Sequence, residues 1–580
     1  MRKTKIICTI GPACEDVDTL QAMMKSGMNV ARLNFSHGTH EEHAQRIQNL
    51  RQAMMLSGKP LAIMLDTKGP EIRTGNLEGG SVNLESGQQF ILTTRDVLGN
   101  EREVSISYDK LPQEIKIGTT ILLSDGLINL LVEDIQGTDI ICRVINGGKL
   151  GNKKGVNVPG VRINMPFLNE KDIEDINFGI EQKVDYIAAS FVRSPEDILE
   201  IRRIIEQKDA DIGIIAKIES QSGVDNLNDI IKVADGVMVA RGDLGVEIPV
   251  EEVPLVQKKI IDQCNYAGKV VIIATQMLES MINNPRPTRA EVSDVANAIF
   301  DGADAIMLSG ETAAGKYPVE VVATMAKIAR RAEEALPYAE ILRKKRLSRT
   351  QSVTDAISFA TCATAENLGA AAIITATRTG LTSKMVAKYR PEANIIAVTP
   401  DVNILNRLAL VWGVYPVLIN ETVGTDDLFE ESIKRALEQG YINYGDLLVL
   451  TAGTPSLSGG TNLIKVHVLG DVLVEGMGIG EPVRGIVKIV LGPEDIYKIQ
   501  PNDIVVTTSA DSYLAPYLNK MSALIAEEGG LTSNAAIMAL NADIPVIVGA
   551  KDATNILKDN MQITIDTPHG KVYSGFAQII

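Results

Sequence analysis

The segment Ile214-Ile215-Ala216-Lys217-Ile218-Glu219 is apolar except for a lysine and a carboxylate two residues apart. In an extended strand, positions i and i+2 face the same side, so this run delivers a cation and an anion to one place. Burying such charges costs on the order of several kcal/mol each unless they are paired or hold a metal. A second apolar run, 236–240, leads into Arg241-Gly242-Asp243 and adds another carboxylate. Glu219 and Asp243 are hard oxygen ligands suited to Mg²⁺ or Mn²⁺, with water and substrate in the remaining positions. Lys217 beside such an ion would stabilise developing negative charge. The simpler reading, that Glu219 only pairs with Lys217, is compatible with catalysis, because an ion pair can open when substrate arrives.

These residues need a frame that brings strand ends together. Short apolar runs at 5–10, 29–35, 61–65, 186–191, 212–219, 236–240, 270–275 and 305–308 alternate with helical segments, which is the pattern of parallel βα units. Eight such strands predict a (β/α)8 barrel, whose active site lies at the C-terminal strand ends. Thr39 with Glu42, and Thr288 with Glu291, have capping-box spacing, and Ser194-Pro195 reads as an N-cap followed by proline. Six of the eight strands end in polar groups: Arg32 and Asn34, Asp66, Lys217 and Glu219, Arg241 and Asp243, Thr275 and Gln276, and Glu311. Any one could be a salt bridge; six at one rim point to a single constellation.

Three further regions follow from breaks in this pattern. Between the third and fourth strands about 100 residues of short strands and Gly/Asn turns predict an inserted β domain, placed as a lid over the functional face. After Leu347 the alternation resumes as an open, doubly wound α/β domain, and beyond Asp471 a Gly- and Val-rich segment forms a separate module. The expected boundaries are 1–68 with 166–345 for the barrel, 69–165 for the lid, 346–473 for the α/β domain and 474–580 for the C-terminal module. Arg32, Arg73 and Lys154 add cations near rim and lid, which suits phosphorylated anions, although Lys153-Lys154 alone reads as a solvated surface pair. No Walker A motif or kinase-type glycine loop is present.

The 580-residue chain has a net charge of −16, which argues against nonspecific nucleic-acid binding. Its five cysteines are scattered, without a CxxC pair, as in a reducing compartment. Basic residues precede an apolar stretch at the N-terminus, but that stretch is shorter than a signal peptide needs. No apolar run reaches membrane-spanning length, so a cytoplasmic protein without a membrane partner is expected.

Together these segments resemble the pyruvate kinase family. The resemblance covers roughly residues 1–469. The stretch 214–224 (IIAKIESQSGV) matches the family signature, and 30–38, 65–75, 239–245 and 274–281 (ATQMLESM) match its other active-site segments. It implies phosphoryl transfer from phosphoenolpyruvate to ADP, giving pyruvate and ATP. Glu219 and Asp243 would then hold Mg²⁺, Lys217 would face the transferring phosphoryl group, and Arg32 would bind that group. Gly242, Asp243 and Thr275 would hold the substrate, and Thr275, as an alcohol, is not assigned as the proton donor. Asn34, His37, Arg73 and Lys154 would contact the nucleotide, and Asn34, Ser36, Asp66 and Thr67 would bind K⁺. Glu71 supports K⁺ dependence, since K⁺-independent members carry a lysine at the matching position.

The α/β domain resembles the family's effector-binding domain. Thr375, Thr377, Arg378, Thr379, Gly380 and Thr382 lie in a strand-to-helix loop suited to an effector's phosphate, although an ordinary loop would read the same way. The tail, around 528–537, resembles the swivelling phosphohistidine domain of phosphoenolpyruvate-utilising enzymes, with Asn534 where that motif has His. Phosphate relay is therefore not expected there, and removal of 475–580 should leave catalysis largely intact. The family also implies a homotetramer. Two other classes share part of this logic: a metal-dependent aldolase or lyase barrel, which needs neither lid nor K⁺ set, and a silent metabolite sensor, which would have lost Lys217, Glu219 or Asp243.

Overall fold

In a computed structural model the chain is described at residues 1–161, 163–346, 352–422, 424–453, 460–470 and 472–575. The breaks expected at Leu347 and Asp471 lie outside the described residues. Two compact units form, Met1–Pro337 with Asp401–Pro416, and Tyr338–Pro400 with Val417–Ile580.

The first unit holds a closed barrel of eight strands, each hydrogen-bonded to its sequence neighbours and β8 to β1. These are β1 (Lys5–Thr9), β2 (Val30–Asn34), β3 (Ala62–Asp66), β4 (Tyr186–Ala189), β5 (Gly213–Ile218), β6 (Gly236–Ala240), β7 (Val270–Ala274) and β8 (Ala305–Leu308). Every adjacent pair is parallel. The runs are rich in Ile, Val and Ala because helices cover the outer face while side chains fill the barrel, so both faces are dry. The helices begin where the caps predict, with complete capping boxes at Thr39, Ser194 and Thr288. β4 and β7 end earlier than expected. Phe191 and Thr275 have φ of 56° and 67°, and a left-handed residue cannot continue a strand.

The opposite end of the barrel carries a device repeated four times. Asn29, Asp185, Asp235 and Asp304 immediately precede β2, β4, β6 and β8. Their side-chain oxygens accept from the backbone N–H of Ile6 (3.1 Å), Ile63 (2.7 Å), Ile214 (2.8 Å) and Val271 (2.9 Å), in β1, β3, β5 and β7. Each returns its own backbone N–H to the carbonyl of that same partner. This reciprocal pairing fixes each even strand against the preceding odd one, and so fixes the height at which the functional ends emerge.

The insertion is mostly β, with a six-stranded and a two-stranded sheet around Phe90, Leu92, Val104, Leu130 and Val132, and it departs from the expected all-β pattern by a short α-helix, Leu111–Glu114. Its Asn157 Nδ2 donates to Glu247 Oε1 at 3.0 Å, on the helix Arg241–Glu247 that follows β6. In the second unit Ala372–Ala376 pairs in parallel with Asn394–Thr399 and Leu447–Ala452. An antiparallel strand not anticipated from sequence, Leu463–Val468, completes that edge. The C-terminal module is a mixed eight-stranded sheet. The class is α/β, as expected. Among the described residues no helix is long and apolar enough to cross a membrane.

Candidate active site

The C-terminal ends of β2, β3, β4 and β5 converge on a buried charge network. Asp66 ends β3 and lies in register with Asn34 on one side and Ala188 on the other. Its Oδ2 accepts from Arg32 Nε at 2.6 Å and its Oδ1 from Lys217 Nζ at 3.1 Å. Arg32 Nη1 donates to Thr9 Oγ1 at 3.0 Å, and no protein acceptor for its Nη2 is found among the described residues. Lys217 Nζ also donates to Ser190 Oγ at 2.6 Å, and that hydroxyl donates to the Thr67 carbonyl at 2.6 Å. Ser190 was missed in the sequence reading. Its signal is a lone hydroxyl ending the apolar run Tyr186-Ile-Ala-Ala-Ser190.

Glu219, just beyond β5, is fully buried. Its Oε2 accepts the Phe191 backbone N–H at 2.6 Å, so the left-handed turn at Phe191 aims that donor. Its Oε1 lies 3.1 Å from Lys217 Nζ in a direction that makes no hydrogen bond, leaving a buried oxygen unsatisfied. Lys217 therefore does not simply neutralise Glu219; it is shared between Glu219 and Asp66. Burial, opposed by Lys217 and reinforced by the nearby charge of Asp243, pushes the Glu219 carboxyl up to about 7. Burial also raises Asp66, but Arg32 and Lys217 outweigh it and hold that acid below the usual carboxylate range. For Lys217 burial acts downward, yet Asp66 and Glu219 prevail and keep the ammonium charged.

Asp243 is half-buried, and among the described residues no group donates a hydrogen bond to its carboxylate. Its neighbour Gly242 donates its N–H to Thr275 Oγ1 at 2.8 Å, which joins the ends of β6 and β7. Among the described residues no three His, Cys, Asp or Glu side chains form a metal cluster. Glu219 and Asp243 nonetheless fit a divalent ion: two mutually repelling acids, one with a buried oxygen lacking a donor, are relieved by a cation.

Of the other expected residues, Asn34 and Thr67 adjoin this network, while among the described residues the side chains of His37, Arg73 and Lys154 make no bond to it. Asn34 Oδ1 accepts from Ser36 N at 3.2 Å, and His37 is exposed on the same loop. Thr67 Oγ1 accepts from Ser190 N at 3.2 Å. Arg73 pairs with Glu71 at 2.6 Å and donates to the Lys153 carbonyl, and the Lys154 side chain is exposed. In the second unit the Thr375 and Ser383 hydroxyls are 2.7 Å apart, as are those of Thr382 and Thr461. Thr377 Oγ1 accepts from Gly380 N at 2.9 Å, while Arg378 and Thr379 are exposed. Two rim residues have their side chains turned to protein atoms. Arg241 is directed at protein carbonyls and Asp294, and Glu311 accepts the N–H groups of Leu278 and Ser309. Each reaches a backbone or ionic partner too close by to leave it for solvent.

A closed parallel barrel with buried acids and cations at its C-terminal strand ends defines a (β/α)8 barrel enzyme. Comparison with known proteins is more specific. Residues 1–322 match the pyruvate kinase barrel domain, 355–467 the pyruvate kinase alpha/beta domain, and 499–570 the mobile domain of PEP-utilising enzymes. Pyruvate kinases from Bacillus licheniformis and Geobacillus stearothermophilus are each 53% identical, and one from Staphylococcus haemolyticus is 48% identical, all over the whole of both chains. The chain belongs to the pyruvate kinase family. Its reaction is phosphoryl transfer between phosphoenolpyruvate and ADP, giving pyruvate and ATP.

Proposed function

We propose that the transfer takes place at the Arg32–Asp66–Lys217–Glu219 network and depends on Mg²⁺ (or Mn²⁺) and K⁺. The observation that carries this reading is the Glu219 oxygen, buried without a hydrogen bond 3.1 Å from Lys217 and beside Asp243. Glu219 and Asp243 would hold the divalent ion, which when bound would supply Lewis-acid polarisation of substrate oxygens. Lys217, fixed by Asp66 and Ser190, presents a preorganised cation to charge developing on the phosphoryl group and enolate. Arg32 keeps its Nε on Asp66 and offers Nη2 to the phosphoryl oxygens. The Gly242 N–H and Thr275 hydroxyl would hold the substrate carboxylate once their mutual hydrogen bond opens. Asn34, His37, Arg73 and Lys154 would meet the nucleotide, and Asn34, Ser36, Asp66 and Thr67 supply the oxygen set for K⁺.

The same reading divides the chain into four domains, with the barrel at 1–68 and 166–345, the lid at 69–165, the effector domain at 346–473 and the C-terminal module at 474–580. The loop of Thr375, Thr377, Arg378, Thr379, Gly380 and Thr382 is the proposed site for a phosphorylated activator, supported by its strand-to-helix position and exposed Arg378. The same reading takes the protein to be a cytoplasmic homotetramer, supported by its family membership. The metal assignment is tested by Mn²⁺ binding, followed by electron paramagnetic resonance on the full chain. Glu219→Gln and Asp243→Asn should each weaken binding by at least about tenfold; unchanged binding in both would remove these residues from the metal site.

A further inference from the structure

Thr275 adopts φ of 67° and Gln276 of 56°. A β-branched residue in this region is a genuine outlier, and such conformations persist only where neighbouring groups hold them. The neighbour here is Arg241, whose side chain is largely enclosed. Its Nη2 donates to the Thr275 carbonyl at 2.7 Å and its Nε to the Ala274 carbonyl at 3.3 Å. Nη2 also lies 2.9 Å from Met277 Sδ. The guanidinium is fixed from behind by Asp294, through Nη1 to Oδ1 and Nη2 to Oδ2, both at 2.8 Å. Arg241 therefore grips the carbonyls on both sides of the strained residue, while the next residue, Gly242, donates its N–H to that residue's hydroxyl at 2.8 Å.

We propose that Arg241, anchored by Asp294, is a positioning residue for phosphoenolpyruvate: it holds Thr275 in its left-handed conformation and sets the spacing between the Thr275 hydroxyl and the Gly242 N–H. This rests on the reading that Thr275 and Gly242 hold the substrate. Arg241 acts through these groups and does not itself meet the substrate, because its donors are directed at protein atoms. Lysine cannot take its place, since a single ammonium cannot span two successive carbonyls and a bidentate carboxylate.

The test is steady-state kinetics on the full chain, with Mg²⁺ and K⁺ present, varying phosphoenolpyruvate and ADP separately. The variants are Arg241→Lys, Asp294→Asn and Thr275→Ala. Arg241→Lys should lower kcat/KM for phosphoenolpyruvate by on the order of 10²-fold, and Asp294→Asn should lower it in the same sense but less. KM for ADP should stay within about twofold for both. Normal phosphoenolpyruvate kinetics in Arg241→Lys and Asp294→Asn, with Thr275→Ala impaired, would overturn the positioning role alone. If Thr275→Ala is also unimpaired, the reading of Thr275 as a substrate contact fails and the proposal falls with it. A lowered melting temperature with kcat/KM for phosphoenolpyruvate unchanged would show a merely structural role and also overturn it. Should Arg241→Lys not fold, Asp294→Asn, which leaves the guanidinium in place, decides on the same criteria.

Discussion

Asp185 offers a quantitative test of how the barrel is framed. It is almost wholly buried, and burial pushes its carboxyl up to about 7, against the opposing effects of the Ile63 N–H, Arg407 and Asn406. Its folded pKa is raised above the unfolded value, so its contribution to stability is full below about pH 4 and is lost as pH rises through about 7. A rise from 3.8 to about 7 is roughly three units, or about 4 kcal/mol at 1.36 kcal/mol per unit. Asn29 occupies the equivalent place before β2 and makes the same backbone bond as an amide. Asp185→Asn should therefore keep the hydrogen bond to Ile63 and remove the penalty of a buried charge. Thermal unfolding of the variant and the parent should converge as pH falls towards 4, where the unfolded carboxyl is protonated as well, and the gap should already be open at pH 5. At pH 8.5 the variant should melt higher by several degrees, on the order of 2–4 °C per kcal/mol recovered. A variant that melts at or below the parent at pH 8.5, or that shows the same pH slope, would refute the argument.

Three further outcomes follow. With Glu219→Gln, the Mg²⁺ concentration for half-maximal activity should rise by at least about tenfold; an unchanged metal titration would exclude Glu219 as a ligand. Replacing K⁺ by tetramethylammonium should remove most activity, and Glu71→Lys, which puts a fixed charge near the site, should restore part of it. Full activity of the parent without K⁺ or Na⁺ would count against the K⁺ assignment. At Gly242 an added Cβ would meet Thr275 no closer than 3.6 Å, so Gly242→Ala should melt like the parent yet show a raised KM for phosphoenolpyruvate; normal KM would remove Gly242 from the substrate site.

The parts of this molecule most legible in the sequence are those where burial is costly. Lys217, Glu219 and Asp66 stand out because charge at the end of an apolar run needs a partner, and the barrel strands because their Ile- and Val-rich runs are bounded by breaks. What was not legible depends on direction and on contacts distant in sequence. Arg241 and Asp243 are two residues apart and both polar, yet one turns to the β7 turn and the other to the proposed metal site. Ser190 gains its meaning only from Lys217, and Phe191 from a backbone N–H that composition does not reveal. The fourfold Asn/Asp device was present as Met28-Asn29, Val184-Asp185, Ala234-Asp235 and Ala303-Asp304, but single polar residues at strand starts look like ordinary turn residues until their partners are seen. The antiparallel strand Leu463–Val468 was legible in principle, since Ile464, Val466 and Val468 alternate with Lys465 and His467, but a parallel α/β pattern gives no reason to look for an antiparallel strand after Ala452.

Lys217, shared between Asp66 and Glu219, is the proposed cation that stabilises phosphoryl transfer. That role is tested most directly by pyruvate formation from phosphoenolpyruvate with Mg²⁺ and K⁺, with and without ADP, for the parent chain and Lys217→Met. ADP-dependent turnover is expected in the parent, with a loss on the order of 10³-fold in a folded Lys217→Met. Turnover by folded Lys217→Met within about tenfold of the parent would contradict it, and pyruvate release independent of ADP would favour a lyase-type barrel instead.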